Sequence, residues 1–195
     1  MSVKHIVKRD KRADATRSAL LAAARRLFAS RGFPDVSVDE IVQGARVTKG
    51  ALYHHFKDKR EIFGAVVREI EHEILERLES AAARPNAEME KLRAACGAYL
   101  DACVEDEVGR IVVLDSPVVL GWEAFCKLER EYGRGFFVDR LRAVKGDRAF
   151  VEPLAQMILG ALNVAGRVIA QSADRHQARR QVAETIDRLL ASMAG

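Results

Sequence analysis

Proline, aromatic residues and cysteine are all scarce in this 195-residue chain, and each shortage narrows the reading. Four prolines and few β-branched clusters favour helix over sheet. Three cysteines, Cys96, Cys103 and Cys126, make an odd set with no CxxC pair. That excludes a disulfide framework and supplies no zinc ligand set. The thiols read as small buried apolar groups, with a redox or metal sensor as the open alternative. The N-terminal run MSVKHIVKRDKR is basic but has no apolar signal core. The most apolar long stretch, Pro153 to Ala170, contains Gln156, Asn163 and Arg167, so it reads as a buried helix and not as a membrane span. A cytoplasmic protein with no membrane partner is therefore expected. No GxSxG, Walker loop or HExxH occurs. Glu69-x-x-His72 has the i, i+3 spacing of a carboxylate-bridged di-metal helix, but that site needs a second copy and none exists. The pair reads as a solvated helix face. No catalytic residue, cofactor or metal is expected, and the chain is not expected to be an enzyme.

What is present points elsewhere. Hydrophobic residues make up 49% of the chain, enough for a true core. The net charge of +4 is unevenly placed. Residues 1–60 hold 14 Lys/Arg against 6 Asp/Glu, and the remainder 18 against 22. A basic head on a mildly acidic body suits a polyanion partner. A basic solvated face fits the same numbers, so charge alone leaves both open.

The apolar spacing is helical throughout. A first helix is expected from about Asp14 to Arg31, on Leu20, Leu21, Ala24, Leu27 and Phe28. Gly32 then stops it and Pro34 keeps it from resuming. Ser37 and Glu40 form an S-x-x-E capping box ahead of a short helix that ends near Gly44. Thr48 caps a second short helix, Lys49 to His55. Asp58 and Glu61 open a long helix to about Ala83, which Arg84-Pro85 breaks. Beyond it, Asn86 is expected to cap a helix carrying Leu92, Cys96 and Tyr99. A short apolar piece, Ile111 to Leu114, should end at Ser116-Pro117. A helix from Trp122 to about Val144 is expected to be interrupted at Gly133 and Gly135. Pro153 suits the first turn of a helix to Ser172. The last helix should run from Arg175 to Met193, with Val182, Ile186, Leu189 and Met193 on one side.

Two short capped helices joined by a glycine-containing turn, within residues 37–56, form a helix-turn-helix pattern. On its own that pattern is common. The specific signal is the string from Val47 to Phe56, VTKGALYHHF, followed by KDKRE. On Thr48, Lys49, Gly50, Leu52, Tyr53, His55, Phe56 and Lys59, with Arg31-Gly32-Phe33 and Ser37 to Ile41 upstream, the sequence closely resembles the TetR family of regulators over about residues 14–65. The resemblance implies an all-α fold: an N-terminal three-helix helix-turn-helix DNA-binding domain with its arm (1–57), and a C-terminal helical effector-binding and dimerisation domain (58–195). The 58–83 helix links the two.

Residue chemistry agrees with that assignment. A recognition helix enters the major groove with its N-terminal residues toward base edges, and Thr48, Lys49 and Ala51 hold that end. Gly50 permits close approach to DNA, or merely a tight helix crossing. Tyr53 and His54 offer neutral donors to phosphates. By resemblance, Tyr53, Ser37 and Lys59 are backbone contacts. Arg46, in the turn, is a candidate base or phosphate contact. His55 can pack toward the core. Two recognition helices must sit about 34–36 Å apart to read successive major grooves, so a homodimer on a palindromic operator is expected. The resemblance places the dimer interface at about residues 153–193. There Gln156, Gly160, Asn163 and Arg167 share one face, to meet a dimer mate or line a cavity.

For an unidentified small-molecule effector, the candidate walls are Tyr99, Cys103, Leu114, Val118, Trp122, Phe125 and Phe137, with Asn163 as a polar group. Scattered aromatics at this spacing equally fit plain core. The expected function is a ligand-responsive repressor released from DNA by its effector. The alternative is a helical ligand- or protein-binding module without sequence-specific DNA binding.

Overall fold

Helix propensity and apolar spacing together dictate a helical chain, and the structure, a computed structural model, has that form. It describes residues 3–146 and 148–192, with side chains from Ala13 onward. Among the described residues there is no strand. The chain divides into two compact units, residues 1–67 and 68–195.

The first unit holds α1 (Val3–Arg31), α2 (Val38–Ala45), α3 (Lys49–His55) and the opening turns of α4 (Lys59–Ala82). α1 begins at Val3 and not at Asp14. The intervening sequence has neither glycine nor proline, so nothing stops the helix from extending back. The arm expected before it is thus helical from Val3; Met1 and Ser2 lie outside the described residues. Gly32, at φ 82°, ends α1 and donates its N–H to Phe28 O at 2.8 Å, the left-handed stop that glycine adopts without strain. Leu20, Leu21, Ala24 and Phe28 are buried with Ile41, Leu52, Phe56, Ile62 and Phe63. Phe28, Phe33 and Phe63 form a mutual cluster with centroids 5.1–5.7 Å apart. Arg31 pairs with Glu40 at 2.8 Å and so ties α1 to α2.

α2 opens with the reciprocal box read from sequence. Ser37 Oγ accepts from Glu40 N at 3.2 Å, and Ser37 N donates to Glu40 Oε2 at 2.8 Å. The helix passes Gly44 and ends one residue later than expected. Arg46, in the left-handed conformation (φ 56°, ψ 40°), caps it through its N–H.

The second unit holds the rest of α4, then α5 (Glu88–Val104), a π-helical segment Val108–Asp115, α6 (Ser116–Leu120), α7 (Trp122–Leu128), a second π-helical segment Glu129–Arg134, α8 (Gly135–Lys145), α9 (Val151–Gln171) and α10 (Arg175–Ser192). Several expectations change here. Ala87, not Asn86, occupies the cap position of α5, and no side chain caps it. Pro117 does not end a helix; it sits in the first turn of α6, where its missing N–H costs nothing. Gly133 and Gly135 do not interrupt the helix either. The backbone widens into a π turn and continues.

α9 lies against α5, α8, α10 and both π segments. It is long and apolar enough to cross a membrane by length and composition, and 44% of its most apolar window is buried within the protein. Its outward side carries Met157, Val164 and Val168, all exposed. A Cβ at Gly160 would meet nothing within 4 Å. On α10 the inward set is Ala178, Ile186 and Leu190. Leu189 faces out, against expectation, because the packed stripe follows the i, i+4 row that contains Leu190. Met193 lies outside the described residues.

Candidate nucleic-acid interface and enclosed cavity

Two turns of helix make α3, and caps at both ends hold it. Thr48 Oγ1 accepts from Ala51 N at 3.2 Å, and Phe56 N donates to Leu52 O at 2.9 Å. Leu52 and Phe56 are buried anchors. The opposite side is open: Thr48, Lys49, Gly50, Tyr53 and His54 are exposed, as are Ser37 and Arg46, while Ala51 and His55 are half-buried. His55 leans inward, its ring 6.5 Å from Phe56. An added Cβ at Gly50 would find only Thr48 Oγ1, at 4.0 Å. No helix crossing therefore needs a glycine at this position. Lys49 Nζ pairs with Asp39 at 2.8 Å, a contact that raises the lysine pKa, with both side chains largely in water. Glu40 is held down to about 2, first by the Arg31 guanidinium and then by Ser37. Its carboxylate thus stays charged and committed to the scaffold.

Lys59 does not stand free for a phosphate. Its ammonium donates to Phe33 O at 2.8 Å and Val36 O at 2.7 Å, and lies 4.2 Å from the centre of the Phe33 ring. Those carbonyls sit in the loop between α1 and α2, and the ammonium pins that loop to the start of α4.

In the second unit a cavity, part of it at an open mouth, is lined by residues of α4, α5, α6, α7, α8 and α9 and of both π segments. Of the sequence candidates, Tyr99, Phe125, Phe137 and Asn163 line it. Four others do not. Cys103 is buried behind the wall, beside the Tyr99 hydroxyl. Val113 and Pro117 line it in place of their neighbours Leu114 and Val118. Val118 is 82% and Trp122 73% exposed. The Trp122 ring nevertheless lies 6.0 Å from Phe125. Of the polar face on α9, Asn163 and Arg167 line the cavity, whereas Gln156 and Gly160 are exposed.

The polar groups inside are ordered. Tyr99 OH donates to Asn163 Oδ1 at 3.2 Å, and Asn163 Nδ2 donates to Glu129 Oε1. Gly166 makes room for the pair: a Cβ there would come within 3.0 Å of Cys103 Sγ and 3.3 Å of the Tyr99 hydroxyl. Glu71 lines the same space, and sequence reasoning missed it. Enclosure, with a smaller push from Glu129, raises its pKa to about 7. Burial also raises Glu129 and Tyr99, and lifts the Cys96 and Cys103 thiols to about 12, which leaves those thiols inert near neutrality. Glu71 was visible in principle. It follows Val67 by four residues and precedes Leu75 by four, so it stands within the apolar stripe of α4. Glu129 gave no such signal, because the π turn rotates it inward.

Comparison with known proteins bears on both units. The family model described as "Bacterial regulatory proteins, tetR family" matches residues 20–66, and that described as "Tetracyclin repressor-like, C-terminal domain" matches residues 89–193. The chain belongs to the TetR family. A crystal structure of a TetR-family transcriptional regulator from Pectobacterium atrosepticum is 33% identical, over 92% of this chain and 94% of that one, with a TM-score of 0.76. The Transposon Tn10 TetC protein of Escherichia coli is 32% identical over 62% of this chain and 60% of its own length. The HTH-type transcriptional regulator AcrR of Shigella flexneri is 36% identical over 52% and 47%. The chain thus spans about half to three-fifths of the length of these two curated relatives. TetR-family proteins are regulators and not enzymes.

Two outcomes follow for this TetR-family chain. Lys59→Met should cost about 2 kcal/mol in urea melts by stranding two carbonyls. An unchanged melt with weakened DNA binding would make Lys59 a DNA contact and not a clamp. Glu71 gives a stability that depends on pH. Between its unfolded value of 4.5 and about 7 the folded state retains a proton that the unfolded chain releases, so stability falls as pH rises through this window. Glu71→Gln should therefore be the more stable protein at pH 8, by on the order of 3 kcal/mol at most, with the advantage shrinking toward pH 5. A gap that stays constant with pH would show that Glu71 does not titrate in the window.

Proposed function

We propose that this protein is a transcriptional repressor of the cytoplasm that binds a palindromic operator as a homodimer and is released by a small molecule held in the cavity. The supporting observation is the open side of α3. Thr48, Lys49, Tyr53 and His54 are exposed beside a glycine that the protein's own packing does not require. Against DNA, Gly50 lets the helix start approach the groove, with Lys49 and Thr48 toward bases and Ala51 behind them. Tyr53, His54, Ser37 and Arg46 reach phosphates or base edges. Lys49 must leave Asp39 to do so. An exposed pair of this kind is worth under about 1 kcal/mol, so exchange for DNA costs little. The basic head adds a salt-dependent attraction common to all sequences.

Dimerisation through about residues 153–193 is supported by the outward face of α9, where Met157, Val164 and Val168 flank the open Gly160, and by Leu189 on α10. Exposed apolar side chains at helical spacing suit a second helix pair. This accounts for the apolar character of α9 without a membrane. α4 starts in the first unit and contributes Glu71 to the cavity in the second. Release then follows from the ligand's preference for one of two conformations of the protein.

A gel shift on the DNA just upstream of the protein's own gene checks the reading. Lys49→Ala and Tyr53→Ala should each weaken salt-sensitive specific binding by about tenfold. Gly50→Ala separates DNA contact from folding. It should melt no lower than wild type, since alanine is favoured in a helix by about 1 kcal/mol, and yet bind the operator less well. Failure of wild type on that DNA, and on any member of a random-sequence selection, would replace this reading with the binding module that lacks DNA recognition.

A further inference from the structure

The Glu71 carboxylate has no hydrogen bond and no ion pair among the described residues, and the surface it retains belongs to the cavity wall. A carboxylate taken from water without a partner is costly, and buried ones are ordinarily matched by Arg or Lys. Here the neighbouring charge on the wall has the same sign. Glu129, with Asn163 and Cys126 as its partners, adds to the burden on Glu71. Arg167 also lines the space but lies at its exposed side and makes no ion pair with either glutamate. The rest of the wall is apolar or aromatic, with Phe125, Phe137 and the Tyr132 ring facing the same volume.

Taking the cavity as the effector site argued above, we propose that its ligand is an organic cation, with an ammonium or similar nitrogen group set against Glu71 and Glu129 and an apolar body packed among the aromatic rings. Such a ligand supplies the charge that the wall lacks. The ion pair forms where water is scarce and the attraction correspondingly strong. Aromatic faces add to the attraction for a cation. A neutral ligand would leave Glu71 as it is, and an anion would bring a third negative charge beside two glutamates.

Two matched pairs of permanently charged probes test the proposal: tetraphenylphosphonium against tetraphenylborate, and the smaller benzyltrimethylammonium against phenylmethanesulfonate. Each is titrated by calorimetry at pH 8 into the full chain, as wild type and as Glu71→Gln, with melting curves to show that the variant is folded. At least one cation should bind about tenfold or more tighter than its anion, and lose about tenfold or more in the variant. Equal binding within both pairs, tighter binding of an anion (which would point to Arg167 as the anchor), or cation affinity untouched by Glu71→Gln would each overturn it. A parallel gel shift on wild type keeps the two readings apart. Operator binding without cation binding defeats only the ligand class. Cation binding dependent on Glu71 without operator binding supports the ligand class and defeats the repressor reading.

Discussion

Seven residues cannot hold themselves in a helix. Nucleation is unfavourable, and isolated segments far longer than α3 are marginal in water. The side of α3 that must stay open contributes nothing to its own packing, so the whole first unit serves to fix this one element. Thr48 closes its first turn, and Leu52 and Phe56 drop into the core that Phe28 and Phe63 anchor. The Ser37–Glu40 box and the Arg31 ion pair orient α2 ahead of it. The Lys59 ammonium fastens the α1–α2 loop to α4. Its partners are two carbonyls of that loop and the face of the Phe33 ring.

Electrostatics divides along the same line between scaffold and function. Pairs that build the first unit combine charge with hydrogen bonds to fixed backbone, as Glu40 does with Ser37. The Lys49–Asp39 pair joins two solvated side chains and is cheap to exchange. In the second unit the situation reverses. Cys96 and Cys103 are enclosed but neutral, so their burial costs little. Glu71 is enclosed and ionisable near neutrality, and no hydrogen bond or ion pair among the described residues compensates it.

The helical fold, the capping boxes and the open residues of α3 were legible because they depend on local rules: spacing, caps and a glycine at an exposed turn. The cavity was legible only in part. Tyr99, Phe125, Phe137 and Asn163 follow ordinary helical spacing and were found. Leu114 and Val118 do not line the cavity; Val112 and Val113 of the π segment Val108–Asp115 and Pro117 do. Trp122 faces outward at the Gly121 junction, where φ is 81°, a direction that helical spacing does not report. The clamp that Lys59 makes was not legible, since its partners are carbonyls 23 and 26 residues away, and no local pattern reports them.

Both π segments border the cavity, and this bears on how binding could be felt elsewhere. A π turn carries one more residue per turn than its neighbours accommodate and persists only where the surroundings hold it. Val113 enters the wall from one segment, and Glu129 with Tyr132 from the other. A ligand that draws on Glu129 pulls on one of these turns, and one that draws on Glu71 pulls on α4. Tight binding alone would shift nothing. The population of a DNA-competent form changes only by the ligand's difference in affinity between two arrangements of this wall. An unpaired carboxylate is well suited to create such a difference. Its interaction with a cation depends steeply on distance and on exclusion of water, so a small displacement of α4 changes the binding energy far more than the same displacement of Ile74 or Leu78 would.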